Sequence, residues 1–294
     1  NVTGVQTCAL PISDGVRVLA VVTNPDKRRS RGSATSASPV KEVATARGLS
    51  VLESTDAAVD FLGAHGNDGL TGVVVAYGRI IREPLLSMLP LVNLHFSLLP
   101  RWRGAAPVER AILAGDTTTG SSIMQIEEGL DTGAVYAVDP VEINEDETAD
   151  ELRGRLGRLG AARLADLLRR GFPVPVPQSG VVTHADKIRP EELAIDFSAG
   201  AIAVQRLVRI GGAHCSFRGQ RLKVHRVDVV AAAGEPGVVV ASGSDGVVVG
   251  AAGDSVRLVS VQPEGKKAMS ARDWANGVRP SVGESFGRVY GESS

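Results

Sequence analysis

The chain has 294 residues, of which 43% are hydrophobic and 22% charged, and its formal net charge is −1. This length allows two domains with separate cores, and the composition is that of an ordinary globular protein with no global electrostatic sign of nucleic-acid binding. No apolar run is long enough to cross a bilayer, and the two cysteines, Cys8 and Cys215, form neither a disulfide framework nor a zinc-ligand pattern. We therefore expect a cytoplasmic protein without a membrane partner.

Residues 1–13, NVTGVQTCALPIS, show no hydrophobic period and no signal-peptide pattern. The segment 2–12 is similar to the translation of a common sequencing adaptor. We expect residues 1–13 to be a non-native scar on a truncated chain, the alternative being a native N-terminus. Because an apolar strand such as 15–24 normally follows an earlier strand and helix in a parallel sheet, we expect those two elements to be missing and the sheet to have a gap.

Strands and helices alternate over residues 14–170. Apolar runs predict strands at 15–24, 49–52, 72–76, 91–95, 121–127 and 134–141. Helical patterns cover 41–48, 57–65, 83–88, 107–115 and 148–170. The apolar face predicted for the last helix consists of Leu152, Leu156, Leu159, Ala162, Leu164 and Leu167. This alternation predicts an α/β domain with a parallel or mixed open sheet.

A change of composition follows this domain. The segment 171–180, GFPVPVPQSG, contains three prolines, and we interpret residues 171–188 as a linker. Apart from one helix at 199–209, residues 189–294 alternate short β-like runs with glycine turns. That spacing predicts a small β-barrel as the C-terminal domain.

Three polar residues are candidates for chemistry. Asn93 and His95 end the predicted strand 91–95 two residues apart, so their side chains share a face at the edge where ligands bind in open α/β sheets. Asp131 lies in the loop GLDTG, whose glycines allow close approach to a ligand. An Asn amide can donate to an oxyanion, a His can move a proton, and a buried Asp can orient the imidazole, so the trio fits acyl transfer. On the residues alone, a structural histidine and a turn-forming aspartate remain the alternative.

Longer motifs surround these residues. They are NLHFSLLPRWRG at 93–104, AAPVERAIL at 105–113, SIMQIEEGLDTG at 122–133, SPVK at 38–41, VVVAYG at 73–78 and GKKAMS at 265–270. In this register the chain resembles the methionyl-tRNA formyltransferase family of folate-dependent formyltransferases over nearly all of residues 15–286. The string SLLPRWRGAAP is highly specific for that superfamily.

The resemblance implies a fold and a site. It implies a Rossmann-like catalytic domain, a linker and a small OB-like barrel, with 10-formyltetrahydrofolate as the one-carbon donor and no metal. Carried over residue by residue, it makes Asn93, His95 and Asp131 the catalytic trio. It assigns tetrahydrofolate binding to Ser97, Leu98, Leu99 and Pro100, and the pteridine pocket to Val75, Ala76, Tyr77 and Gly78.

The acceptor implied by the family is the amino group of initiator methionyl-tRNA, formylated for translation initiation. Related enzymes act on sugar nucleotides or glycinamide ribonucleotide, and a catalytically impaired RNA-binding relative is a further alternative. The barrel favours tRNA, as do Lys266 and Lys267 and a basic loop similar to the one the family inserts into the acceptor stem. The predicted loop contacts are Lys27, Arg28, Arg29 and Arg31, although Ser33 and Ala34 stand where many members carry lysine. We expect a monomer.

Overall fold

The computed structural model describes residues 16–28, 35–243 and 246–287. The predicted scar at 1–13 and the predicted tRNA contacts Arg29 and Arg31 lie outside these residues. The described chain falls into two compact units. The first comprises residues 16–108, 117–143 and 150–186, and the second comprises 109–116, 144–149 and 187–287. The predicted domain boundaries at 170 and 188 stay predictions.

The secondary structure follows the predicted order in the first unit. Its strands are β1 (Ala20–Val22), β2 (Lys27–Arg28), β3 (Thr35–Ser36), β4 (Ser50–Leu52), β5 (Gly72–Val74), β6 (Leu91–His95), β7 (Arg103–Gly104), β8 (Thr118–Gln125), β9 (Val135–Glu142) and β10 (His184–Ala185). The helices up to residue 170 are α1 (Pro39–Ala46), α2 (Thr55–His65), α3 (Leu85–Met88), α4 (Pro107–Ala114) and α5 (Ala149–Arg170).

The central sheet of the first unit is mixed, as the alternation of elements predicted. Strand β5 pairs with β6 in parallel, and β8 and β9 continue the sheet in antiparallel pairing. The register places Val74 opposite Asn93 and His95 opposite Ser122. Strand β1 pairs in parallel with β4 in a separate two-stranded sheet, and among the described strands β1 and β5 share no ladder.

Helix α5 covers the central sheet and builds its core. Leu164 and Leu167 pack against Val92, Leu94 and Ile123 of the strands. The predicted apolar face was wrong at Leu159, which is 49% exposed, and at Ala162, which is also exposed. Gly160 faces the sheet instead, and a Cβ atom there would lie 2.5 Å from Leu94 Cδ1. The helix approaches β6 so closely that its innermost position has no room for a side chain.

The segment predicted as a linker is bonded to the first unit over much of its length. Val135 and Val176 exchange two backbone hydrogen bonds of 2.8 and 2.9 Å. Further along, β10 pairs in parallel with β7, and Thr183 donates its N–H to the Pro100 carbonyl. We call residues 176–185 the strap, because they bond to both the 99–104 loop and the start of β9.

The second unit contains a closed β-barrel, and the predicted fold class is confirmed. Its elements are α6 (Ala201–Arg209), β11 (His214–Phe217), β12 (Gln220–Val230), β13 (Val239–Gly243), β14 (Gly246–Gly250), β15 (Ser255–Pro263), β16 (Met269–Ser270), α7 (Ala271–Val278) and β17 (Phe286–Gly287). The strand order is β13-β14-β15-β12-β11-β17. Bonds from Val239 N to Glu284 O and from Phe286 N to Gly237 O join the two ends and close the barrel.

The barrel interior is apolar, and helix α7, which the sequence did not predict, contributes buried side chains to it. Phe217, Trp274 and Phe286 pack against one another in its core, edge-on or tilted, with ring centroids 4.8–6.1 Å apart. Trp274 comes from α7, whose first turn is capped because Ser270 Oγ accepts the Asp273 N–H at 3.0 Å. Across the described residues, the helices are all too short or too polar to span a membrane.

Candidate active site

The three predicted catalytic side chains meet at the carboxyl end of β6. Asn93 Nδ2 lies 3.4 Å from Asp131 Oδ1, and His95 Nδ1 lies 3.6 Å from Asp131 Oδ2. His95 and Asp131 are 6% and 12% exposed, so the pair is largely shielded from water. Strand β6 supplies two members on one face because side chains alternate along a strand, and a glycine-flanked loop supplies the third.

The His95 ring is fixed by a backbone carbonyl. Its Nε2 lies 2.8 Å from Trp102 O, and a carbonyl can only accept, so Nε2 carries the hydrogen of this bond. Nδ1 is then the nitrogen that faces Asp131. Trp102 holds its carbonyl there from a left-handed backbone conformation with φ 61°, and its own N–H donates to Thr183 Oγ1 at 2.8 Å.

Asp131 is held through its backbone and its carboxylate. Its φ of 53° is left-handed, which an Asp tolerates better than most residues. The Gly104 N–H donates to its Oδ2 at 2.9 Å. The loop lies so close to β8 that a Cβ atom at Gly133 would lie 2.0 Å from Gln125 O. These contacts keep the carboxylate beside Asn93 and His95.

Cys215 has a structural role rather than a nucleophilic one. It is buried in the barrel core, and burial raises the pKa of its thiol to about 12. A thiol with that pKa carries almost no thiolate near neutral pH, so Cys215 is not a nucleophile.

Both halves of the chain match formyltransferases. The formyl transferase family matches residues 5–168, and the C-terminal domain of formyl transferases matches residues 187–279. Methionyl-tRNA formyltransferase from Corynebacterium urealyticum is 42% identical, over 92% of this chain and 89% of that protein. The enzyme from Thermus thermophilus is 41% identical, over 97% of this chain and 98% of that protein. The chain belongs to the methionyl-tRNA formyltransferase family.

A solved structure shares the fold of this family member. HypX from Aquifex aeolicus, crystallised with tetrahydrofolic acid, has a TM-score of 0.61 at 16% identity, over 84% of this chain and 47% of that chain. At this identity the likeness concerns the fold alone.

The first segment predicted to bind folate, residues 97–100, forms a buried turn. The Ser97 hydroxyl donates to Arg101 O at 2.6 Å, and Ser122 Oγ bonds to Ser97 O and to the Leu99 N–H. Leu98 rests on β8, since a Cβ atom at Gly120 would lie 2.4 Å from Leu98 Cδ2. Ser97, Leu99 and Pro100 are buried, and Leu98 is only partly exposed. These side chains shape the loop that carries Trp102.

The second predicted folate segment leaves the sheet beside Asn93. Strand β5 ends at Val74, opposite Asn93, and Val75, Ala76, Tyr77 and Gly78 follow as a loop. Ala76 and Gly78 both have positive φ, at 48° and 71°. The Asn24 side chain donates to Tyr77 O at 3.3 Å and joins this loop to the end of β1. The loop therefore begins directly beside Asn93.

Two residues of the site were missed by sequence reasoning. Arg103 and Gln178 form a bonded pair next to the Asp131 loop, with Arg103 Nη2 2.7 Å from Gln178 Oε1. Gln178 lies in a proline-rich stretch that is typical of a linker, and Arg103 was read only as part of a family motif. A faint signal existed, because Gln178 is the only long polar side chain among residues 171–180.

The described basic residues predicted to contact tRNA lie in different units. Lys27 and Arg28 form β2 in the first unit. Lys266 and Lys267 lie exposed in the turn between β15 and β16, where Gln262 Nε2 donates to Lys266 O at 2.9 Å. Among the described side chains no cluster of three or more His, Cys, Asp or Glu is arranged to hold a metal.

Proposed function

We propose that this enzyme transfers a formyl group from 10-formyltetrahydrofolate to the amino group of initiator methionyl-tRNA, and that Asn93, His95 and Asp131 carry the chemistry. The observation that carries the proposal is the convergence of these three side chains in a chain of the methionyl-tRNA formyltransferase family. We place the reaction in the cytoplasm, with the enzyme acting as a monomer.

The reaction needs a group that accepts a proton and a hydrogen-bond donor that stabilises the oxyanion. The amine nitrogen forms a bond to the formyl carbon, the bond from that carbon to the folate nitrogen breaks, and a proton passes from the amine to the folate nitrogen. Negative charge develops on the formyl oxygen as the new bond forms.

His95 is placed to move the proton. Because Nε2 donates to the Trp102 carbonyl, the neutral ring presents a lone pair at Nδ1. Nδ1 can accept the amine proton, and the imidazolium then pairs with Asp131 Oδ2 only 3.6 Å away. Returning that proton to the folate nitrogen completes the transfer.

Asn93 is placed to stabilise the oxyanion. The hydrogen bond that its side-chain amide donates to Asp131 is long, at 3.4 Å, so an Nδ2 hydrogen can turn to the developing charge at little cost. Asp131 does not need to change protonation in this scheme, because its carboxylate balances the charge of the imidazolium once Nδ1 has taken the proton.

The donor would bind beside the trio. The loop Val75, Ala76, Tyr77 and Gly78 offers backbone groups next to Asn93 as a pteridine site. Ser97, Leu98, Leu99 and Pro100 would contribute through the shape of their turn, since the Ser97 hydroxyl is already bonded within it. The site residues therefore fit a planar ligand held mainly by main-chain contacts and apolar surface.

Other amines are the competing acceptors. Sugar nucleotides and glycinamide ribonucleotide need the same chemistry, so the trio does not select among them. The relatives that are 41–42% identical over most of the chain are named methionyl-tRNA formyltransferases, and this favours tRNA as the acceptor. For phosphate contacts we propose Lys27, Arg28, Arg29 and Arg31 in the loop and Lys266 and Lys267 in the barrel.

A competition assay tests the proposal. The enzyme is given labelled 10-formyltetrahydrofolate together with initiator methionyl-tRNA, elongator methionyl-tRNA and glycinamide ribonucleotide. We expect the label on initiator methionyl-tRNA, with much less on the elongator species. Label on the small amine but not on tRNA would contradict the proposed acceptor.

A further inference from the structure

We propose that Gln178 is a positioning residue for the reaction: it fixes the Asp131 loop, and Arg103 fixes Gln178. This inference rests on the proposed function, because it concerns how Asp131 is held beside His95. It assigns a role to the strap, which the sequence presents only as a connection between domains.

The Gln178 amide bonds to the catalytic loop at two points. Its Nε2 lies 2.8 Å from Asp131 O and 2.8 Å from Gly133 O. The two amide hydrogens therefore hold carbonyls on either side of Thr132, and one belongs to the residue whose carboxylate faces His95. These bonds support the left-handed backbone of Asp131, with φ 53°, a conformation that is still less favourable for an aspartate than for a glycine.

Arg103 determines which way the Gln178 amide points. Its Nε and Nη2 both donate to Gln178 Oε1, at 3.1 and 2.7 Å. A guanidinium has no acceptor, so the amide oxygen must face it and the NH₂ group must face the loop. Gln178 is also neutral. It connects Arg103 to the backbone of Asp131 without bringing the guanidinium into contact with the Asp131 carboxylate.

The strap supports the histidine side of the site as well. Thr183 Oγ1 accepts the Trp102 N–H at 2.8 Å, and Thr183 O accepts the Arg103 N–H at 2.9 Å. The Trp102 carbonyl is the partner of His95 Nε2. One short segment thus holds the carbonyl that orients His95 and the loop that carries Asp131, and Gln178 makes the direct bond to that loop.

Two variants of Gln178 separate its bonds to the Asp131 loop from its bonds to Arg103. Gln178→Ala removes both sets of bonds, whereas Gln178→Glu keeps an acceptor for Arg103 and loses the donor to the loop. We expect kcat to fall about 10- to 100-fold in both, with KM for methionyl-tRNA and for the folate within about twofold, because displacing a catalytic group by about 1 Å costs rates of this order. Gln178→Ala combined with Asp131→Asn should be no slower than Asp131→Asn alone.

The control removes a comparable amide elsewhere. Gln205 Nε2 bonds to Asp146 Oδ1 at 3.3 Å on an exposed surface of the second unit, and Gln205→Ala should leave kcat and KM unchanged. Unchanged kcat in both Gln178 variants would overturn the proposal. Full activity in Gln178→Glu but not in Gln178→Ala would also overturn it, because the bond to Arg103 alone would then suffice.

A measurement without substrate separates this inference from the proposed function. The ¹⁵N signals of the His95 ring report its surroundings directly in the free enzyme. We expect them to shift in Gln178→Ala and Gln178→Glu but not in Gln205→Ala. If the wild-type enzyme fails to formylate methionyl-tRNA while these signals shift, the proposed acceptor fails and the positioning role stands. Unshifted signals would overturn the positioning role even in an active enzyme.

Discussion

At the scale of single residues, the chemistry of the trio depends on bonds made by neighbours. The Trp102 carbonyl decides which nitrogen of His95 faces the site, and the Gly104 N–H anchors the carboxylate of Asp131. Both partners act through backbone groups and not through side chains, so the identity of the residue gives no sign of these bonds. The family motifs predicted which side chains to bring together, but not the backbone groups that orient them.

The substitution Asp131→Asn tests the role of the carboxylate charge. The amide oxygen of the new side chain can still accept the Gly104 N–H, so the loop should keep its conformation while the negative charge beside His95 Nδ1 is lost. We expect kcat to fall about 10²- to 10³-fold, equivalent to about 3–4 kcal/mol in the transition state. Steady-state rates at saturating substrate check this, with Asp150→Asn, on the exposed side of α5, as the control. A kcat within threefold of wild type would remove Asp131 from the mechanism.

At the scale of elements, close approach between a helix and a strand explains where the sequence reading failed. A period of 3.6 residues placed Leu159 on the apolar face of α5, but Gly160 occupies the position nearest to β6. Hydrophobicity scales give glycine little weight, so a helix that needs to pass close to a strand is read slightly out of phase. The correct phase depends on a distance that only the packed structure supplies.

Two glycine substitutions in α5 should have opposite effects on stability. A Cβ atom at Gly160 would lie 2.5 Å from Leu94 Cδ1 in the core, whereas at Gly154 the nearest atom is an Arg158 guanidinium nitrogen at 3.6 Å. We expect Gly160→Ala to lower the free energy of unfolding by about 1–3 kcal/mol. Gly154→Ala should raise it by roughly 0.5–1 kcal/mol through helix propensity. Urea denaturation midpoints measure both, and equal shifts would contradict the close packing of α5 on β6.

An ion pair in the second unit should make stability depend on pH. Arg110 binds Glu192 with both Nη atoms, at 2.7 and 3.2 Å, and Arg189 donates its N–H to the same carboxylate. The Arg110 guanidinium, followed by the Arg189 N–H, lowers the Glu192 pKa from its ordinary 4.5 to about 2. The stabilisation is therefore fully present above pH 4.5 and is lost as the pH falls towards 2.

Glu192→Gln isolates this contribution. With both side chains partly exposed, solvent screening limits the pair to about 1 kcal/mol at neutral pH. The difference in unfolding free energy between wild type and variant should shrink steadily between pH 4.5 and 2. A difference that stays constant over this range would show that the carboxylate charge does not stabilise the fold.

At the scale of the whole molecule, the sequence predicted the fold class but not how the barrel closes. Glycine-separated apolar runs indicated the barrel strands, yet closure depends on residues 283–286, where a glycine and a glutamate pair with the start of β13. Helix α7 was also hidden, because its N-cap, Ser270, is at the same time the last residue of the short strand β16. Pairings between residues more than forty positions apart leave no periodic trace in a single sequence.

If methionyl-tRNA is the acceptor, we expect the exposed lysines of the barrel to contact its phosphates. Changing Lys266 and Lys267 together to Ala should raise KM for methionyl-tRNA several-fold and leave folate binding unchanged. It should also flatten the salt dependence of tRNA binding, because each lost phosphate contact lowers the slope by about one. The matched control changes both residues to Arg and keeps the charge. Equal KM in the Ala and wild-type enzymes would place the tRNA contacts elsewhere.

The most direct test of the central claim is the single-turnover rate of formyl transfer to initiator methionyl-tRNA in wild type and in His95→Ala. If Nδ1 of His95 moves the amine proton, the rate in His95→Ala should fall at least about 100-fold. Tetrahydrofolate binding, measured by calorimetry on the same samples, should stay within about threefold of wild type. A His95→Ala enzyme that transfers the formyl group at the wild-type rate would contradict the account.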